Sequence, residues 1–215
     1  MGEIERNLFT IKNKIEKICK IYNKDFAKIN LIAVSKAQSA EKISQAIAVG
    51  CKIFGENYIK EAQEKWSEII KKNPQIKLHF IGHLQSNKTK EAVALFDCIE
   101  SLDSEKLALA LQKEILKQKK NIEIFIQVNI GEEPQKGGVL PKDLEGLVKF
   151  SRDECNLNVT GLMCIPPEGE SPAPYFALLN QLAQKNNLKN LSMGMSADFE
   201  DAIALGANYI RVRLS

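Results

Sequence analysis

The sequence predicts an α/β chain folded as a single (β/α)8 TIM-type barrel over residues 1–215, with an extra N-terminal helix. Three observations lead there. Short runs rich in β-branched residues alternate with helix-length amphipathic segments until eight strand candidates have passed, which is the pattern of a parallel sheet with crossover helices. No linker, repeat or low-complexity stretch divides the chain, and 215 residues is an ordinary length for one barrel. The strand-to-helix junctions carry Ser-Lys, Gly-Glu-Asn, Gly-His-Leu-Gln, Asn-Ile-Gly, Cys-Ile-Pro and Gly-Met-Ser, small and polar as a ligand mouth should be. An open doubly wound sheet is the alternative, but no GxGxxG or P-loop stands at any junction, which weakens dinucleotide and nucleoside-triphosphate readings.

Taken in order, residues 2–22 place Ile4, Leu8, Ile11, Ile15, Ile18 and Ile21 three or four apart, the spacing of an amphipathic helix. Strand one covers 30–34, and Ser39 opens a helix that Gly50 closes. Strand two covers 52–55, with Asn57 where an N-cap for the next helix would stand. Strand three runs over 77–82 and a short helix continues to Phe96; strand four is short, over 98–101, and a helix spans 104–119. The clearest strand is 122–130. A loop over 131–141 contains Lys136-Gly137-Gly138, and a helix over 142–154 leads to strand six at 159–165, which Pro166-Pro167 stops. Ser171-Pro172 starts the next helix. Strands seven and eight, 191–196 and 208–212, flank a short helix over 198–205.

Composition narrows the function classes. A formal charge of +3 with lysines dispersed among glutamates, and aromatics not interleaved with cations, gives nucleic-acid binding little support. No apolar run approaches the roughly 18 residues of a membrane span, and Met1-Gly2-Glu3-Ile4-Glu5-Arg6 is not a secretory signal, so a cytoplasmic location and no membrane partner are expected. The five cysteines form no CxxC pair and no Cys/His cluster, so reduced core residues and no metal are expected. Helices without a large apolar excess suggest a monomer.

Lys36 is the first candidate for chemistry. It ends the buried run Leu31-Ile32-Ala33-Val34 at the strand edge where barrels bind ligands, and partial dehydration there would favour the free amine that attacks aldehydes. A lysine snorkelling to solvent explains the same position. Ser196, after a glycine segment, could hold a phosphate at a helix start or simply cap it. Arg211, one of four arginines, lies in the last strand, where either a specific planar cation or an ordinary salt bridge would account for it. His79 alternates with apolar residues and reads as a hydrogen-bonded interior histidine, and His83 as a loop residue.

Five motifs, taken together and in order, resemble one family. They are Ala33-Val34-Ser35-Lys36, Phe54-Gly55-Glu56-Asn57-Tyr58, His79-Phe80-Ile81-Gly82-His83-Leu84-Gln85-Ser86-Asn87-Lys88, Gly161-Leu162-Met163 and the stretch from Leu191 to Glu200. The chain thereby resembles the pyridoxal phosphate homeostasis proteins, single barrels similar to the N-terminal domain of alanine racemase. The resemblance implies that pyridoxal 5′-phosphate (PLP) is held by Lys36 as an internal aldimine and released again. It also implies that Ser196 and the loop around Met195 bind the phosphate and that Arg211 approaches the pyridine nitrogen, with Asn57 and His79 lining the ring pocket. PLP-dependent acceptor enzymes are the implied protein partners, and turnover is not expected. A racemase-like enzyme is the leading alternative, but it would need a second base that a related extra domain supplies. A Schiff-base aldolase comes last, since His79 alone could pair with the lysine.

The chain leaves the family pattern after Arg211. A glycine and a hydroxyl residue are usual where Arg213 and Leu214 stand, with a short apolar tail after them. The sequence therefore predicts weak cofactor binding, a poor seam between the last strand and the first, and tighter binding once glycine and threonine are restored. Arg213 offering a charged contact in place of lost amides is the other reading.

Overall fold

The structure, a computed structural model, describes residues 2–214. Eight parallel strands close into a barrel in sequence order: β1 (Asn30–Val34), β2 (Ile53–Glu56), β3 (Lys77–Phe80), β4 (Cys98–Leu102), β5 (Glu123–Val128), β6 (Val159–Cys164), β7 (Asn190–Met195) and β8 (Tyr209–Val212). Around them lie α1 (Glu3–Ile21), α2 (Ala40–Ala48), α3 (Ile59–Lys72), α4 (Thr89–Leu95), α5 (Glu105–Gln118), α6 (Leu144–Lys149), α7 (Ala173–Lys185) and α8 (Phe199–Ala204). Covered on both faces, the strands can be apolar nearly throughout, and all of β4 is buried. Ser39 and Ser104 cap α2 and α5, their hydroxyls accepting from the amides of Lys42 and Leu107.

Two expectations change, and the expected N-terminal helix finds its place in the ring. It packs between α2 and α8, taking the place of a helix after β8, with Ile4, Leu8, Ile15 and Cys19 buried. The segment 142–154 is not one helix: a 3₁₀ turn (Pro141–Asp143) enters α6, and a π turn (Phe150–Glu154) leaves it. The seam between first and last strands is also complete. Asn30, Leu31, Ile32 and Ala33 stand opposite Tyr209, Ile210, Arg211 and Val212. That pairing needs nothing beyond Val212, and Leu214 then turns inward beside Ile4, Ala33 and Phe54. It is 7% exposed, and its carbonyl accepts from Asn7 Nδ2 at 2.9 Å.

Strand ends obey the pairing rather than the apolar run. β3 stops at Phe80, short of Gly82, because its register with β4 holds only His79 and Phe80. Two glycines are required by contact at the mouth. A Cβ on Gly82 would lie 2.2 Å from the Asn57 carbonyl oxygen, and one on Gly194, whose φ is +90°, would lie 2.5 Å from Ala202 Cβ. Among the described residues no helix is long and apolar enough to cross a membrane, and all five cysteines are free and buried.

Because Leu214 fills the space between α1 and the seam, Leu214→Ala should cost about 2 kcal/mol. Thermal unfolding should show a midpoint lowered by roughly 4–8 °C. An unchanged midpoint would mean that the tail contributes no packing.

Candidate functional site

Lys36 follows β1 after Ser35 and is half-buried. The chain turns there, with Ala37 at a φ of +59°, a conformation costly for a residue with a Cβ unless its surroundings impose it. Here they do. On one side of Lys36, the Ser35 amide donates to the Gly55 carbonyl at 3.0 Å, and its hydroxyl donates to Glu56 Oε1 at 2.7 Å. On the other, the Ala37 amide donates to Glu61 Oε1 at 2.6 Å. Lys65 Nζ bridges the two sides, donating to the Ser35 carbonyl at 2.8 Å and pairing with Glu56 at 2.8 Å and Glu61 at 2.7 Å. Trp66 Nε1 adds a third donor to Glu56 Oε1, leaving Oε2 of this fully buried carboxylate without a partner among the described residues. Lys36 itself has no hydrogen bond or ion pair among the described residues; it acts through its charge on Glu61. Partial burial opposes ionisation of Glu61, but the Lys65 hydrogen bond, the Ala37 amide and the charges of Lys65 and Lys36 hold its carboxyl below the usual value.

Arg211 lies inside the barrel, 5% exposed, which removes the surface salt bridge as its explanation. One guanidinium nitrogen donates to the Ser192 carbonyl at 2.8 Å and hydroxyl at 2.7 Å, the other to the Cys164 carbonyl at 2.8 Å. The Ser192 hydroxyl donates in turn to Glu100 Oε2 at 2.5 Å, and His79 Nδ1 meets Glu100 Oε1 at 2.7 Å. His79 is therefore the interior histidine expected, and its place is beneath the mouth in a chain of groups that reaches Arg211. Burial pushes the Glu100 carboxyl up, yet the hydrogen bond and charge of His79, the charge of Arg211 and the Ser192 hydroxyl bring it below its ordinary value. Cys98 lies close enough to complete a three-ligand group with His79 and Glu100, but its thiol is pushed well up by burial and then by Glu100, Glu123 and Asp97. It behaves as a packed apolar group beside Phe125 and Met163.

Ser196 and Met195 form a third part. Ser196 does not cap α8; Asp198 holds that position, and Ser196 sits in the preceding turn with its hydroxyl accepting from the Arg213 amide at 3.2 Å. Met195 is opposite Arg211 in the β7–β8 pairing, and its amide donates to Asp198 Oδ1 at 2.6 Å. Arg213 is exposed and has no ion pair among the described residues. Asn57 is likewise no cap. Tyr58 holds that position on α3, and Asn57 faces a cleft of about 480 Å³ with Gly82, His83, Gln127, Asn129 and Lys136, its buried Oδ1 unpartnered among the described residues. Lys136 is tied to Glu133 Oε2 at 2.5 Å and the Pro166 carbonyl at 3.1 Å.

The fold thus brings Met195, Ser196 and Arg211 together through β7 and β8 and links His79 to Arg211 through Glu100 and Ser192. Lys36 and Asn57 stand after the neighbouring strands β1 and β2 at the same mouth, and no hydrogen bond or ion pair among the described residues joins them to the rest. The cleft opens on the β3, β5 and β6 side, and Lys36 is not among its walls.

Residues 7–213 match the family model of the alanine racemase N-terminal domain. The chain belongs to this family. Within it the chain is similar to the pyridoxal phosphate homeostasis proteins of Pasteurella multocida, 35% identical over 97% of this chain and 94% of that one, and Aquifex aeolicus, 36% identical over 99% and 96%. PipY of Synechococcus elongatus, solved without PLP, is 34% identical with a TM-score of 0.82, covering 93% of this chain and 97% of its own. The same protein with PLP bound superposes with a TM-score of 0.80 at the same identity and coverage. Alanine racemase from Bartonella henselae shares the fold, at a TM-score of 0.75 and 14% identity, over 98% of this chain and 56% of that one.

In this racemase-family barrel, Glu56, Glu100 and Ser192 are the residues that sequence reasoning misses. Glu100 in Cys98-Ile99-Glu100-Ser101-Leu102 is the available signal, a carboxylate in a strand buried along its whole length. Glu100→Gln removes the charge and turns one of the two acceptor oxygens, Oε1 facing His79 or Oε2 facing Ser192, into a donor, and should cost about 3 kcal/mol at neutral pH. A carboxyl lowered on folding stabilises above its unfolded value and loses that contribution as pH falls through the folded one. Denaturant unfolding should therefore show the gap between wild type and variant closing below the ordinary carboxylate value of 4.5. A gap that is constant with pH would mean that Glu100 is not ionised in the fold.

Proposed function

We infer that this chain binds PLP at the C-terminal mouth of its barrel and serves vitamin B6 homeostasis, holding and releasing the cofactor. The observation that carries this is Lys36, a lysine unpaired among the described residues, on a turn clamped from both sides and at the same mouth as a buried arginine. The residues fit the cofactor's chemistry: an amine for its aldehyde at Lys36, a hydroxyl and a free cation for its phosphate at Ser196 and Arg213, a guanidinium for its ring nitrogen at Arg211. The unpartnered Oδ1 of Asn57 would add an acceptor beside the ring. When bound, PLP supplies an electrophilic aldehyde and a ring able to accept electrons. Arg211 in place of a carboxylate would leave the ring nitrogen unprotonated and the ring a weaker electron acceptor, which would favour holding over turnover. We further propose a monomer that acts in the cytoplasm, in keeping with its reduced buried cysteines, and passes the cofactor to PLP-dependent enzymes.

For the racemase-like alternative, His83 is a candidate base at the mouth. His83 Nδ1 lies 4.0 Å from Asp103 Oδ2, and the imidazole is largely exposed. That distance exceeds a hydrogen bond, so the carboxylate does not fix the imidazole tautomer as a working base requires.

Added PLP should give a visible absorbance band, and borohydride should trap it on Lys36 by peptide mass mapping; Lys36→Ala should give neither. Amino-acid racemisation, transamination and decarboxylation should stay at background. Turnover that Lys36→Ala abolishes would move the protein into the enzyme class, and trapping mainly on Lys136 would displace Lys36.

The atypical end yields a separate expectation. Ser196 already holds the Arg213 amide and Leu214 is committed to the core, which favours Arg213 as a charged phosphate contact over a steric obstacle. Arg213→Ala should raise the Kd for PLP by roughly threefold to tenfold, less than a buried charged contact because solvent screens it. Tighter binding in a titration would reverse that assignment.

A further inference from the structure

We propose that Glu56, together with Lys65 and Glu61, is a positioning group for Lys36, fixing the turn that carries it and setting the charge around its amine. This rests on the reading of Lys36 as the lysine that holds PLP. Both chain neighbours of Lys36 end on carboxylates: Ser35 on Glu56 at 2.7 Å and Ala37 on Glu61 at 2.6 Å, with Lys65 pairing to both. A fully buried carboxylate is a costly way to brace a turn that an apolar side chain could pack. Here the cost is offset by donors that converge on one oxygen of Glu56 from Ser35, Lys65 and Trp66, so the cluster is rigid where Lys36 attaches. Without it, Ala37 would have little reason to hold its φ of +59°.

The cluster also has a net charge. Two carboxylates face one ammonium, which leaves one negative charge beside Lys36. Other charged groups on the elements around the turn include Glu41 and Lys42 on α2, Lys60 and Glu64 on α3, and Arg211 and Arg213 on and after β8. Of all these, Glu61 is the group whose carboxyl registers the charge of Lys36. An anion there favours the protonated form of whatever nitrogen Lys36 presents to the mouth.

Two variants of the full chain, loaded with PLP, test this. Glu61→Gln keeps an acceptor for the Ala37 amide but removes the negative charge. The pH midpoint of the visible band should move down by roughly half a unit, reduced from a buried pair's effect by solvent screening. Ser35→Ala removes only the hydroxyl that reaches Glu56 and should slow loading roughly fivefold while far-ultraviolet circular dichroism stays unchanged. A role confined to folding would not move the spectroscopic midpoint. Where borohydride still traps PLP on Lys36, an unchanged midpoint in Glu61→Gln, or wild-type loading in Ser35→Ala, overturns the positioning role. An unaltered chain that traps no PLP on Lys36 overturns instead the reading beneath it.

Discussion

The interior of this barrel is arranged around a charge that cannot be left alone. Arg211 is buried where no water shell can reach it, and a guanidinium in that position is tolerable only if most of its donors find acceptors. Two come from backbone carbonyls, Ser192 and Cys164, whose positions are set by the register of β6, β7 and β8. The third is the Ser192 hydroxyl, which accepts from Arg211 and so must donate elsewhere; Glu100 receives it. Glu100 brings the opposite charge and in turn needs His79. One buried cation thus ties together groups on five strands, side chains on β3, β4, β7 and β8 and a backbone carbonyl on β6, and each is satisfied only while the barrel is closed.

The same logic explains why the atypical C-terminus leaves the barrel intact. Strand β8 contributes through Tyr209 to Val212, and the residue that matters most for the interior, Arg211, lies within that span. Arg213 and Leu214 are anchored by two unrelated contacts. Leu214 is driven by apolar burial beneath α1, and the Arg213 amide is held by Ser196. Substitution at 213 and 214 therefore alters the corner beside Ser196 while the seam remains.

Much of the fold was legible because barrel strands and helices write different periods. The run Leu31-Ile32-Ala33-Val34 and the spacing of Ile4, Leu8 and Ile15 are read correctly by pattern alone. Less legible were features set by neighbours in space. Asn57 and Ser196 look like caps because both belong to residue types that prefer that position, yet in the fold Tyr58 and Asp198 take those places one and two residues later. Nothing local reveals that Ser196 faces the Arg213 amide, since they are seventeen residues apart along the chain. Glu56 and Glu100 escape notice for a similar reason. A carboxylate in a strand reads as an edge or surface residue until the partners that hold it are known, and those partners, Lys65 and His79, come from other elements.

The two buried carboxylates divide the work of the mouth between them. Glu100 stands below it and neutralises Arg211 through Ser192, so that the arginine can present its remaining donor capacity without a free anion competing nearby. Glu56 stands at its rim and is bonded to the lysine's chain neighbour, leaving Lys36 itself free of any hydrogen bond or ion pair among the described residues. Had Glu56 reached Lys36 directly, the ammonium would have been held protonated and the amine withheld from an incoming aldehyde. Bonding the neighbour instead gives rigidity without a direct ion pair, and Lys65 offsets one of the two carboxylates, so that a single negative charge remains beside Lys36. On the proposed reading, a lysine braced but not paired among the described residues is left free to form and release a bond to an aldehyde.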